Sequence, residues 1–239
     1  MTEQSESPVT FAEAWSGKVD CQNCTLRHSV LFAGLTESNF KDLHQPVDQF
    51  VLSPGEKLYS EGELGNHMFT IRKGLVKLEQ YLADGTQRIV RLLKSTDVAG
   101  LETLLGESYK HNAFALQETE VCRYPTSTVS ELAKNNPKLH LDLMTHWQSA
   151  LSEADSWITE LSTGSAKERV ARLLLRLAKD ETNRQCFLFG REDMGAMLGI
   201  TTETASRIVA EFKRQGLIKE IGSSQYICDV QRLEKLALA

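Results

Sequence analysis

The sequence predicts an α+β chain: a glycine-punctuated β domain, then a long helix, then a carboxy-terminal winged helix-turn-helix. Three observations predict it. Between about Asp48 and Pro125, short alternating runs of Val, Leu, Ile and Phe are broken at Pro54-Gly55, Gly62, Gly65, Lys73-Gly74, Asp84-Gly85 and Gly100. Short strands with turn signals at close spacing suggest a sandwich or barrel. From Pro137 to Leu161 the apolar period becomes helical. From Gly190 the chain reads as two short helices joined by a tight turn and followed by a hairpin.

In chain order, residues 1–30 form an amino-terminal arm carrying Cys21-Gln22-Asn23-Cys24, and Glu37 to Val47 has the pattern of a short helix. The β domain spans 31–136. Within it, Asp84-Gly85 separates Val76–Tyr81 from Arg88–Leu93, a strong hairpin signal. The central helix occupies 137–163. Met144, Trp147, Leu151, Ala154, Ile158 and Leu161 recur in it at alternating steps of three and four, the spacing of a coiled-coil seam or of a helix packed against its own domain. Thr163-Gly164-Ser165 breaks that helix, and the last domain, 164–239, opens with an apolar stripe of Val170, Leu173, Leu174 and Leu177.

The helix-turn-helix reading rests on particular residues. Met194, Met197 and Leu198 share one face of the first helix, and Gly199 stands where the chain must leave it, since glycine tolerates a left-handed backbone. Thr201 is placed to cap the second helix. That helix would bury Ala205, Ile208, Val209 and Phe212 and present Thr202, Glu203, Ser206 and Arg207. Such a polar set suits the major groove: glutamate accepts from cytosine N4, arginine donates twice to guanine O6 and N7, and serine bonds several base edges. Gln215 to Ile221, the turn Gly222-Ser223-Ser224 and Gln225 to Cys228 then read as a wing.

Composition bounds the alternatives. The 239 residues are 41% hydrophobic and 25% charged, with no apolar run that could span a bilayer and a polar amino terminus, which predicts a cytoplasmic protein with no membrane partner. The net charge of −5 is unevenly placed: from Ser165 onward Lys and Arg exceed Asp and Glu by three, and the preceding residues carry −8. An odd count of five cysteines argues against a disulfide scaffold, and Cys186 and Cys228 fall in apolar surroundings as small core residues. Metalloprotease, phosphate-loop and nucleophile-elbow motifs are missing from the sequence, which reads as a binding protein and not an enzyme.

With this order of parts the chain resembles the CRP/FNR family of bacterial transcription regulators. Pro54-Gly55-Glu56-x-Leu58-Tyr59-x-Glu61-Gly62, continued by Phe69-x-Ile71-x-x-Gly74, looks like that family's cyclic-nucleotide-binding-type β-roll. Glu203-Thr204-Ala205-Ser206-Arg207 looks like its recognition-helix core in the FNR-like branch. The resemblance implies a homodimer joined through the central helix, double-stranded DNA as partner, and TTGAT-like inverted repeats as sites. It implies base contacts by Glu203, Ser206 and Arg207, phosphate contacts by Arg191 and Thr202, and an RNA polymerase contact near Asp84 and Gly85.

The resemblance leaves the effector open. In the family's nucleotide binders a Gly-Glu pair holds the ribose and an Arg-Ser pair the cyclic phosphate; here Leu101 replaces the glutamate and His111-Asn112 the Arg-Ser. Cyclic AMP is therefore disfavoured, because a buried phosphate without its guanidinium loses a strong partner. FNR proteins hold an iron–sulfur cluster on three amino-terminal cysteines and one from the β-roll. Cys21, Cys24 and Cys122 match three of these, and the position of the remaining cysteine is held by Val30 or, at the longer spacing, Phe32, with His28 as a candidate substitute ligand. The same cysteines suit a thiol switch or a three-cysteine zinc site. Haem is the weaker candidate, with six scattered histidines and none singled out. The expected function is a dimeric DNA-binding regulator responding to oxygen, redox state or a diatomic gas; the alternative is a cyclic-nucleotide or other small-molecule effector on the same fold.

Overall fold

The computed structural model describes residues 48–178 and 184–238. Its contacts divide these into two units, residues 48–80 with 91–151 and residues 81–90 with 152–238.

The β domain holds two four-stranded sheets. One has the order β1 (Asp48–Leu52), β8 (Thr119–Pro125), β3 (His67–Lys73), β6 (Val98–Ala99); the other has β2 (Lys57–Tyr59), β7 (Asn112–Ala115), β4 (Val76–Tyr81), β5 (Gln87–Leu93). The glycine breaks fall at the turns between these strands. At Gly74, where φ is 106°, a β-carbon would drive into Thr119 and the Glu118 carbonyl, so the β3–β4 turn closes only on glycine. Inside the unit, Thr70 and Tyr124 share a buried hydroxyl–hydroxyl hydrogen bond of 2.6 Å across the β3–β8 pair. Satisfying both groups matters because an unpaired buried hydroxyl costs roughly 1–3 kcal/mol.

After β8 the chain turns directly into α1 (Thr126–Asn135), a helix that the sequence reading does not contain. Its Val129 and Leu132 join Met68, Val98, Leu101 and Tyr124 from the sheet, together with Leu139 and Leu143 from the start of α2 (Pro137–Ser156), in one apolar cluster. Asn136 caps α2, its Oδ1 accepting from the backbone N–H groups of Lys138 and Leu139 at 3.1 Å each. The helix is 20 residues long and continues as a π-helical turn, Trp157–Leu161.

The six-residue seam read from the sequence divides into two stripes. Met144, Leu151 and Ile158, seven residues apart, are exposed at 40%, 58% and 65%, and Leu141 at 65% extends their line. Trp147 instead packs on the apolar cluster of its own unit, and Leu161 is fully buried in the other. Leu161 is therefore shielded from solvent, Trp147 is partly so, and Leu141 is exposed. The physical reason is rotational: residues three apart on a helix stand about 60° apart around its axis. One stripe can thus turn into the chain's own core while its neighbour stays out.

In the second unit, α3 (Ala166–Ala178) packs against α6 (Val230–Ala237), a short carboxy-terminal helix also absent from the sequence reading. Arg172 ties the unit together. It donates to the backbone oxygens of Glu160 at 2.9 Å, Thr163 at 2.8 Å and Ala237 at 3.0 Å. Between these helices lie α4 (Arg191–Leu198), α5 (Thr202–Arg214) and a three-stranded sheet of order β10 (Ile218–Gly222), β11 (Gln225–Cys228), β9 (Gln185–Phe187). Among the described residues no helix is long and apolar enough to cross a membrane.

Candidate nucleic-acid interface

The turn between α4 and α5 is built from two glycines. Gly199 ends α4 in the left-handed region at φ 62°. Gly195, one turn earlier, lies so close to the next segment that a β-carbon would stand 2.7 Å from the Ile200 carbonyl oxygen. The Ile200 N–H closes the turn by donating to the Gly195 carbonyl at 3.2 Å. Arg169 on α3 donates to the Leu198 carbonyl and satisfies one of the orphan oxygens at the end of α4.

Thr201 then caps α5, its hydroxyl accepting from the Thr204 N–H at 3.2 Å. The inner face of α5 is sealed: Ala205, Ile208, Val209 and Phe212 are each 2% exposed or less. The outer face carries Thr202, Glu203, Ser206 and Arg207, all exposed. The Glu203 carboxyl is held below its usual range, first by its own backbone N–H and then by the Thr201 hydroxyl. It is thus an ionised acceptor at neutral pH. Arg207 has no ion-pair partner among the described residues, so its fork of donors is available. The structure brings the three residues expected to read bases onto one solvent-facing surface. Thr202 stands at its amino-terminal end.

Arg191, at the start of α4, is half-buried, with Nη1 donating to the Phe189 carbonyl at 3.3 Å. Lys213, in the last turn of α5, is engaged with the wing. Its ammonium sits 2.5 Å from Glu220 Oε2 on β10 and 5.0 Å from the ring centre of Tyr226 on β11. That contact raises the Lys213 pKa and lowers the Glu220 pKa. The wing is a β10–β11 hairpin turning at Ser223-Ser224, with β9 added as a third strand through Cys186↔Tyr226 and Gln185↔Ile227. Three-residue β9 is too short to give a period in the sequence, and its pairing is entirely non-local.

Asp84 and Gly85 lie at the tip of the β4–β5 turn. Asp84 Oδ1 accepts from the Thr86 N–H at 2.9 Å, and Gly85 takes φ 81°. In the β domain, neither residue of the His111-Asn112 pair supplies a fixed cation. His111 is pushed toward its neutral form, by burial first and by nearby Arg91 next. Asn112 Oδ1 already accepts from the Glu61 N–H at 3.1 Å. Cys122 is partly buried on β8, opposite Gln49 and Thr70. Cys21, Cys24 and His28 lie outside the described residues. Among the described ones, no three His, Cys, Asp or Glu side chains are grouped to hold a metal ion.

Comparison with known proteins covers most of the chain. Residues 49–136 match the model of the cyclic nucleotide-binding domain, and residues 168–236 match the Crp-like helix-turn-helix domain. The transcriptional activator protein anr of Pseudomonas aeruginosa is 29% identical over 226 residues, 92% of each chain. The fumarate and nitrate reduction regulatory protein of Vibrio cholerae is 25% identical over 228 residues, 92% of this chain and 90% of that one. Among solved structures, FixK2 from Bradyrhizobium japonicum superposes with a TM-score of 0.73 at 28% identity, covering 81% of this chain and 98% of that one.

Gly195→Ala should strain the helix-turn-helix by roughly 1–3 kcal/mol, the usual cost of forcing a methyl into occupied space. Urea unfolding of the full chain measures it. An unchanged midpoint would mean that the α4–α5 approach can open without cost.

Proposed function

The chain belongs to the CRP/FNR family of DNA-binding transcription regulators, in its FNR-like branch, and we propose that it acts as a two-fold dimer reading TTGAT-like inverted repeats under the control of oxygen or redox state. The observation that carries the DNA reading is the exposed face of α5, where Glu203, Ser206 and Arg207 project from a helix whose opposite side is sealed. In this reading Glu203 accepts from cytosine N4, Arg207 donates to guanine O6 and N7, and Ser206 bonds an adjacent base edge. Thr202 and the amino-terminal end of α4, with Arg191, lie against phosphate, where helix N–H groups favour an anion.

Support for the dimer comes from the line Leu141, Met144, Leu151 and Ile158. It leaves large apolar side chains in water along one helix, and a second copy of the same stripe would cover them. Two recognition helices set about one DNA turn apart, roughly 34 Å, could then enter successive major grooves. An effector need only shift the dimer between geometries to change occupancy.

The effector reading rests on Cys21, Cys24 and Cys122, with His28 as a candidate fourth ligand, and on a relative whose name refers to fumarate and nitrate reduction. Partial exposure of Cys122 suits a ligand shared with another segment. With no grouped ligand set in the described residues, a cluster would draw its other ligands from residues 1–47. Bound there, an iron–sulfur cluster would supply an oxygen-labile redox centre. The neutral tendency of His111 and the engaged Asn112 weigh against cyclic AMP. The β4–β5 tip at Asp84 and Gly85 is the proposed contact for RNA polymerase.

Four measurements test these statements. Arg207→Ala should cost about 1–3 kcal/mol on a cognate repeat and relax preference at one guanine; an equal loss on random DNA would assign Arg207 to the backbone. Leu151→Glu or Ile158→Glu should shift sedimentation toward monomer, and unchanged sedimentation would remove the seam. Protein purified without air should carry iron and sulfide and a visible absorption that bleaches on aeration, whereas colourless, iron-free protein would exclude the cluster. Asp84→Ala should lower activated transcription in vitro with DNA affinity intact; parallel loss of both would place Asp84 outside any polymerase contact.

A further inference from the structure

Two cysteines that the regulatory reading does not use meet inside the second unit. Cys186 lies at the middle of β9 and Cys228 at the end of β11, and their Sγ atoms are 3.3 Å apart. The strands hold them there. Cys186 pairs with Tyr226, and the Cys228 N–H continues the ladder by donating to the Arg184 carbonyl at 3.0 Å. Tyr226 and Cys228, two residues apart, share a face, and Cys186 stands across from the first and diagonal to the second. Both cysteines are 2% exposed.

We propose that Cys186 and Cys228 are a redox modification site, closed to a reversible disulfide by a hydroperoxide and thereby stapling the base of the winged helix-turn-helix. A disulfide needs the sulfurs at about 2.05 Å, so closure asks for little more than 1 Å of approach between atoms already in contact. Hydrogen bonding from the Cys186 thiol pulls the Cys228 thiol below its usual range, against the opposing effect of burial. The contact eases ionisation of the pair as a unit, and either thiol can attack first. With Cys228 as the attacking thiol, its sulfur attacks one peroxide oxygen, the O–O bond breaks, and the other oxygen leaves as water, giving a sulfenic acid. Cys186 sulfur then attacks Cys228 sulfur, the S–O bond breaks, and a second water leaves. In sum, two thiols and one hydrogen peroxide give one disulfide and two waters, the sulfurs oxidised and the peroxide reduced. Burial restricts the oxidant to a molecule as small as hydrogen peroxide.

The placement gives the bond its consequence. The two cysteines are 42 positions apart, and the segment between them contains α4, the turn, α5 and β10, so one bond encloses the whole winged helix-turn-helix. Closing so long a loop restricts the unfolded chain far more than the folded one. The pair shares no residue with the Cys21, Cys24 and Cys122 set, and its oxidation needs neither a cluster nor DNA.

The test is peptide mapping of the native full chain after hydrogen peroxide, with acid quenching and alkylation. A Cys186–Cys228 linked peptide, lighter by two hydrogens and reopened by dithiothreitol, is the expected result. Both cysteines remaining fully alkylatable after denaturation, or bridging instead to Cys21, Cys24 or Cys122, would overturn the proposal. A second measurement uses Cys21→Ser/Cys24→Ser/Cys122→Ser, in which only the pair remains. Peroxide should raise its Tm, and Cys186→Ala added to that background should abolish the rise. An unchanged Tm in the linked protein would overturn the staple.

Discussion

The surface that the carboxy-terminal unit offers to DNA depends on two helices meeting with no β-carbon between them. Gly195 lets the Ile200 carbonyl come in, Gly199 reverses the chain in a left-handed conformation, and the Thr201 hydroxyl then starts α5 at once. Because the turn is this short, the direction of α5 is fixed by the burial of α4. Met194, Met197 and Leu198 are each no more than 1% exposed. Sealing Ala205, Ile208, Val209 and Phe212 beneath it leaves a single rotation for the helix, and that rotation faces Glu203, Ser206 and Arg207 outward. Side chains that would be unremarkable on a free helix are presented together because the backbone beneath them cannot turn.

The wing is fixed by a different means. Lys213, near the end of α5, is held by Glu220 and lies over Tyr226, so the hairpin is joined to the recognition helix by charge and ring contact at the surface. Exposed pairs of this kind contribute little stability. Their effect is orientational: the hairpin is carried with α5, and β9 joins it from the stretch that leads into α4. Recognition helix, wing and first helix thus share one small sheet and one turn.

Local signals were legible in the sequence and non-local ones were not. Gly199, the Thr201 cap, the inner face of α5, and the Asp84-Gly85 hairpin could all be read, because each is set within a few residues by backbone freedom or period. The base-reading candidates followed from that period. Helix α1 was hidden because its ten residues mix Thr, Ser and Asn with few apolar positions, and its place is given by packing of Val129 and Leu132 on the β domain. Strand β9 was hidden because three residues carry no period and their partners lie about 40 positions away. Arg172 was hidden because what it binds is backbone oxygen from two other segments, Glu160 and Thr163 before it and Ala237 far after it. The central helix shows the limit most clearly. Its apolar spacing was evident, but spacing alone cannot say which of two adjacent stripes the chain keeps for itself, and Trp147 and Leu161 went inward while Leu141 stayed out.

Charge adds a constraint that connects the reading head to the proposed two-fold arrangement. The carboxy-terminal domain exceeds neutrality by only three charges, and Glu203 places a carboxylate on the face that would meet a polyanion. Each subunit can therefore neutralise few phosphates, which keeps sequence-independent affinity low. In the proposed reading the carboxylate would deepen this effect: against any base edge lacking a donor it would be desolvated without compensation, rejecting wrong sites as much as favouring the right one. A head built this way discriminates well but binds weakly alone. Two heads on one rigid pair combine their free energies when both half-sites match and the spacing is right. Affinity then depends steeply on the geometry of the central helices, where a sensor remote from the DNA can act on it.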